Sequence, residues 1–142
     1  NTSLNTGGVL PLSQPYNTAP FNYSGTESVA SIPNTNVVDW ILLEFRKPLS
    51  GLPADASSAT IAGRKAAFLL NNGTITEPDG ITPVSFDISK QGTGFIVARH
   101  LNHLGVMSIA KASNATGNFI NDFTLLANSY KDALAPSDPV AL

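Results

Sequence analysis

The chain has no cysteine. That absence excludes a disulfide framework, a thiolate nucleophile and any zinc site built on sulfur. Charge is scarce as well. Charged residues make up 13% of the chain, about half the usual share. The net charge is -2 and no basic run occurs, which excludes nucleic-acid binding by phosphate neutralisation. No apolar stretch approaches the roughly 18 residues of a membrane-spanning helix. Also missing are a Gly-x-Ser-x-Gly elbow, a phosphate-binding loop, a dinucleotide fingerprint and an Asp-x-Asp-x-Asp-Gly calcium loop. There is no internal repeat, no heptad and no amphipathic helix of useful length.

Hydrophobic residues nevertheless reach 42% of 142 residues, enough to build one domain with a real core. Thr, Ser, Asn, Gly and Pro fill the place of the missing charges. This mix suits strands joined by turns and a surface kept soluble by hydroxyls and amides. Such a composition is typical of secreted proteins, and a cysteine-free secreted chain points to bacterial export. The chain begins at Asn1, so a mature form without its leader, or a fragment, is expected.

Residues 1–35 read as an extended arm, because Pro11, Pro15, Pro20 and Pro33 would break a helix. Residues 37–46, Val-Val-Asp-Trp-Ile-Leu-Leu-Glu-Phe-Arg, read as the strongest strand. Its apolar residues fall on both parities, so both faces should be covered. Residues 60–71 and 73–76 flank Asn72-Gly73, a strong hairpin signal. A second turn follows at 77–80. Strands are expected at 84–88, 94–101, 105–111 and 119–127, with a turn at Asn102-His103 and another at 114–117. The tail, residues 128–142, is polar and then proline-broken, with a short turn expected at 130–134. The pattern predicts an all-β fold, an antiparallel β-sandwich of jelly-roll or immunoglobulin-like type. Arm 1–35, body 36–127 and tail 128–142 would form one domain. Trp40, Leu42, Phe68, Leu70, Phe86, Phe95, Val97, Val106 and Phe123 are the expected core.

Several segments together carry a family resemblance: 11–17 (Pro-Leu-Ser-Gln-Pro-Tyr-Asn), 25–29, 37–46, 64–70 with Asn72-Gly73 and Asp79-Gly80, and 99–108 (Arg-His-Leu-Asn-His-Leu-Gly-Val-Met-Ser). Over about residues 9–134 the chain resembles a β-rich domain of large secreted and surface proteins of the Bacteroidetes. Those are adhesin- or haemagglutinin-like chains exported by the type IX secretion system. The resemblance implies a location and a class, not a reaction. In that family a calcium-binding Gly-Asp-x-Asn-x-Asp-Gly segment and a sorting tail commonly follow, and residues 1–142 contain neither.

The candidate sites are few. His100 and His103 form a His-x-x-His pair that a third ligand, Asp39, Glu44 or Asp87, would have to complete to hold zinc. The favoured expectation is no metal: His103 sits in the turn and His100 packs at a strand end. No two carboxylates are paired by spacing as a glycosidase requires, so no catalytic residues and no cofactor are assigned. Asn1, Asn22, Asn72 and Asn114 head Asn-x-Ser/Thr sequons and are read first as turn residues. Val9, Leu10, Leu12, Tyr16, Phe21 and Tyr23 are candidate anchors. They would pin the arm to its own domain or donate it to a neighbouring subunit, and the aromatic ones offer an alternative surface for glycans. The expected function is therefore a non-catalytic, extracellular structural subunit of a filament or adhesin-like polymer, assembled by strand donation. The alternative is a carbohydrate-binding module.

Overall fold

The first strand, β1, spans Val37–Arg46, as its apolar run predicts. Every residue from Trp40 to Arg46 is buried, so both parities face protein, as expected of a strand covered on both sides. In this computed structural model, residues 1–87, 92–116 and 118–130 are described. The other strands are β2 (Ile61–Leu70), β3 (Ile75–Thr76), β4 (Thr93–His100), β5 (His103–Met107) and β6 (Lys111–Ala112). They form one six-stranded sheet with the path β3-β2-β1-β4-β5, and β6 pairs with β4 off that path. The β2–β3, β4–β5 and β4–β6 pairs are antiparallel. Helix among the described residues amounts to one turn at Ser3–Thr6 and three short 3-10 turns. The fold is all-β.

The β2–β3 hairpin follows from its turn residues. Leu70 N–H donates to Thr74 O at 2.8 Å, and Gly73 N–H to Leu70 O at 2.9 Å. Gly73 has φ +85°, a left-handed backbone open to glycine at little cost. Asn72 Oδ1 accepts from Thr74 N–H at 3.0 Å, which closes the loop locally.

The chain divides into two compact units: residues 1–42 with 65–84, and residues 43–64 with 85–142. In the first, Leu10, Tyr16, Tyr23, Val37, Trp40, Leu42, Ala66 and Phe68 form one buried cluster. Trp40 and Phe68 have ring centroids 4.1 Å apart. In the second, Phe95, Val97, Met107 and Ala56 form a buried cluster, and Phe45, Phe86 and Phe119 make an aromatic group. Gly94 is required there: a Cβ would lie 2.3 Å from the Phe45 ring and 2.6 Å from Arg46 O. Of the expected core, Trp40, Leu42, Phe68, Phe86, Phe95 and Val97 are buried. Leu70, Val106 and Phe123 are only partly so.

Five expectations are corrected. The arm pairs with itself despite its prolines: Gln14 N–H donates to Glu27 O, Val29 N–H to Leu12 O and Tyr23 N–H to Tyr16 O. None of these donors is a proline, so no bond needs a proline N–H. The arm also holds a helical turn, Ser3–Thr6, ahead of its first proline. Residues 84–87 make no strand, only an isolated Ser85–Asn118 bridge; the expected Ile88 lies outside the described residues. Residues 119–127 make no strand either. Asp122 Oδ1 takes Thr124 N–H at 2.9 Å and the Thr124 hydroxyl at 2.6 Å, so the side chain captures backbone that a ladder would need. Finally, His103 begins β5 rather than sitting in the turn, which is Leu101-Asn102. Most of the tail, 131–142, lies outside the described residues.

Candidate functional site

Sequence reasoning missed the most densely bonded polar group. Glu44 and Arg46 are two apart on β1, so they share a face. Arg46 Nε and Nη2 donate to Glu44 Oε2 at 3.0 and 2.6 Å. Arg46 Nη1 donates to Ala56 O at 2.7 Å. Arg99 Nε, on β4, lies 3.2 Å from Glu44 Oε1. This is an ion pair by distance, without the alignment of a hydrogen bond. Glu44 and Arg46 are buried, whereas the Arg99 side chain is 24% exposed. The signal was available: two opposite charges at i and i+2 in a strand covered on both faces must satisfy each other. Both oxygens of Glu44 are engaged by guanidinium groups, so it is held as a structural carboxylate.

The other carboxylates are placed similarly. Glu27 Oε1 accepts from the Tyr23 hydroxyl at 2.5 Å and from Ala66 N–H at 3.2 Å. Glu77 pairs with Lys65 at 2.6 Å, and Asp55 accepts from the Ser50 hydroxyl at 2.6 Å. Asp79 accepts from the Thr82 hydroxyl and from Ile81 and Thr82 N–H. These bonds, the hydroxyl first, hold its carboxyl below the ordinary carboxylate range. The Thr124 hydroxyl and N–H do the same for Asp122. Asp39 Oδ1 accepts from Trp40 N–H at 2.8 Å, and Asp87 is exposed.

The arm residues divide. Leu10, Tyr16 and Tyr23 are buried within the first unit, and Phe21 packs against them, edge-on to Tyr16 at 5.0 Å. The Tyr16 hydroxyl donates to Trp40 O at 2.8 Å. Burial pushes its pKa well above the ordinary tyrosine value, the Asp39 charge adds to the rise, and a backbone bond at Leu42 opposes it. The Trp40 indole N–H donates to Pro11 O at 2.8 Å. Tyr16, Tyr23 and Trp40 are therefore interior groups, not a stacking platform. Val9 and Leu12 are exposed.

His100 and His103 face each other as a register pair across the β4–β5 turn. Their Nδ1 atoms are 2.9 Å apart and their ring centroids 4.7 Å apart. Among the described residues no three His, Asp or Glu side chains converge, so Asp39, Glu44 and Asp87 do not complete a site around them. The sequon residues Asn72 and Asn114 lie in turns; Asn114 Oδ1 accepts from Thr116 N–H and Asn118 N–H at 3.0 and 2.9 Å. No helix among the described residues is long and apolar enough to cross a membrane.

Comparison with known proteins finds no matching family model, no matching curated protein and no matching solved structure.

Proposed function

We propose that the chain is a non-catalytic structural module, a β-sandwich of jelly-roll or immunoglobulin-like type. Its role would be that of a subunit in an extracellular, adhesin-like surface filament. One observation carries this reading: among the described residues, most carboxylates hold the fold. Glu27 ties the arm to β2, Glu44 neutralises buried guanidinium, and Asp79 and Asp122 close turns. The low charge and the Thr- and Asn-rich composition fit close packing between modules.

The route of assembly follows from the energetics of the arm. Leu10, Tyr16 and Tyr23 are buried in their own unit. Burial of each such side chain is worth about 1.5–3 kcal/mol. Donating the whole arm would first expose roughly 5–9 kcal/mol of apolar stabilisation. Adding a strand at a sheet edge exposes nothing. Strand β5 ends the sheet path; Tyr130 N–H caps Met107 O at its C-terminal end at 2.8 Å, while Leu104 near its start is 79% exposed. Unpaired edge groups are templates for another chain, and a head-to-tail contact of this kind grows into an open filament unless it closes as a ring.

Electron microscopy of the purified chain, beside Leu104→Lys, tests the proposal. Filaments or chains in the wild type that the edge lysine abolishes support it. Dispersed monomers at high concentration, or filaments indifferent to Leu104→Lys, contradict it.

A further inference from the structure

We infer that His100 and His103 form a two-nitrogen chelate for a divalent transition-metal ion of tetragonal preference, Cu(II) ahead of Ni(II). The argument is geometric. A metal–imidazole bond is about 2.0 Å. Two nitrogens 2.9 Å apart then subtend about 93° at the ion, given that bond length. That is the cis angle of a square-planar or octahedral site; a tetrahedral ion would hold them about 3.3 Å apart. With both rings aimed at a common ion, the ring centroids fall about 4.6 Å apart by the same bond length. The observed separation is 4.7 Å. Two rings joined end to end by a linear shared proton would sit farther apart, at about 5.2 Å.

Ligand chemistry agrees with the geometry. Asn102 N–H donates to His100 Nδ1 at 3.2 Å, so that nitrogen presents a lone pair rather than a proton. The ion would replace the proton between the two rings and compete with a long backbone bond. Imidazole nitrogen suits copper and nickel, and copper binds N-donor sites most tightly among the first-row divalent ions. His103 is exposed and His100 half-buried, so water can fill the remaining positions and the ion has a path in. The backbone presents the ligands in advance. His100 ends β4, His103 begins β5, and the two-residue turn fixes them as directly opposed partners. A bound ion would clamp the turn end of this hairpin.

Titration of the full chain with Cu(II) in a non-chelating buffer is the test, followed by calorimetry and electron paramagnetic resonance. The wild type should bind one ion with coupling to two nitrogens. His100→Gln and His103→Gln should each weaken binding at least tenfold, with folding checked by circular dichroism. Cu(II) should raise the melting temperature of the wild type and leave both variants unmoved. Equal affinity in the wild type and either single variant would overturn the inference. Should a variant lose its fold, the wild-type spectrum decides alone: coupling to two nitrogens supports the chelate, and coupling to one overturns it.

Discussion

Glu44→Ala is expected to be among the most destabilising single changes in the second unit. The substitution removes the acceptor of Arg46 Nε and Nη2 and the ion partner of Arg99. Arg46 keeps one bond, from Nη1 to Ala56 O, but its side chain is 3% exposed. Two donors of a buried cation are therefore left without an acceptor or water. Breaking a buried pair in this way costs about 3–5 kcal/mol, because the survivor remains charged and desolvated. Two lost bonds to a charged group, at about 1.5–3 kcal/mol each, lead to the same range. Arg99 adds little, since its head can turn outward to water. For a chain of this size the loss corresponds to a fall of about 10–15 °C in melting temperature. Denaturant unfolding followed by circular dichroism reads it. A companion double variant, Glu44→Leu with Arg46→Met, removes both charges together and should recover most of the loss, since an apolar replacement of a buried pair is often neutral. The reasoning fails if Glu44→Ala costs under about 1 kcal/mol, or if the double variant is less stable than Glu44→Ala.

Three further outcomes follow from the packing. Trp40→Ala should cost about 3–5 kcal/mol, since it empties the space against Phe68 and frees Pro11 O; a cost below half of that in urea unfolding would contradict the core assignment. Gly94→Ala should cost about 1–3 kcal/mol by overpacking against Phe45, and an unchanged midpoint would contradict the close approach. Stability should also be lost at both pH extremes. The depressed carboxyls of Asp79 and Asp122 favour the folded state above the ordinary carboxylate pKa, and their contribution disappears as pH falls through the folded value. The raised hydroxyl of Tyr16 favours the folded state below about pH 10 and loses that contribution as pH rises further. Tyr16→Phe should flatten the alkaline limb, and Asp79→Asn part of the acid limb. Limbs unchanged by these variants in pH-dependent melting would refute the assignments.

What could be read from sequence depended on whether side chains or ladders controlled the backbone. Strand β1 was legible because its apolar run is long and contains no Gly or Pro. The β2–β3 hairpin was legible because Asn72-Gly73 supplies both a local acceptor and a left-handed position. Residues 119–127 alternate like a strand, yet the acceptor of Asp122 holds Thr124 in a turn; periodicity does not register that competition. Sequence left open whether the arm is pinned to its own domain or donated, because its apolar residues are sparse. Its fate is decided by non-local bonds, such as Trp40 to Pro11 O and Asn5 to Asn34 O, which sequence does not encode by spacing. The histidine pair was visible as a motif, but its meaning depended on a turn lying one residue earlier than expected. Glu44 and Arg46 were visible as charges. Their pairing required taking seriously the burial that the rest of the strand implied.

The central claim is that this chain is a subunit that adds to copies of itself. Sedimentation velocity over a wide dilution series tests it most directly. The account predicts a weight-average sedimentation coefficient that keeps climbing with concentration and reaches no plateau, as an open polymer requires. A single monomer boundary at every concentration would contradict it.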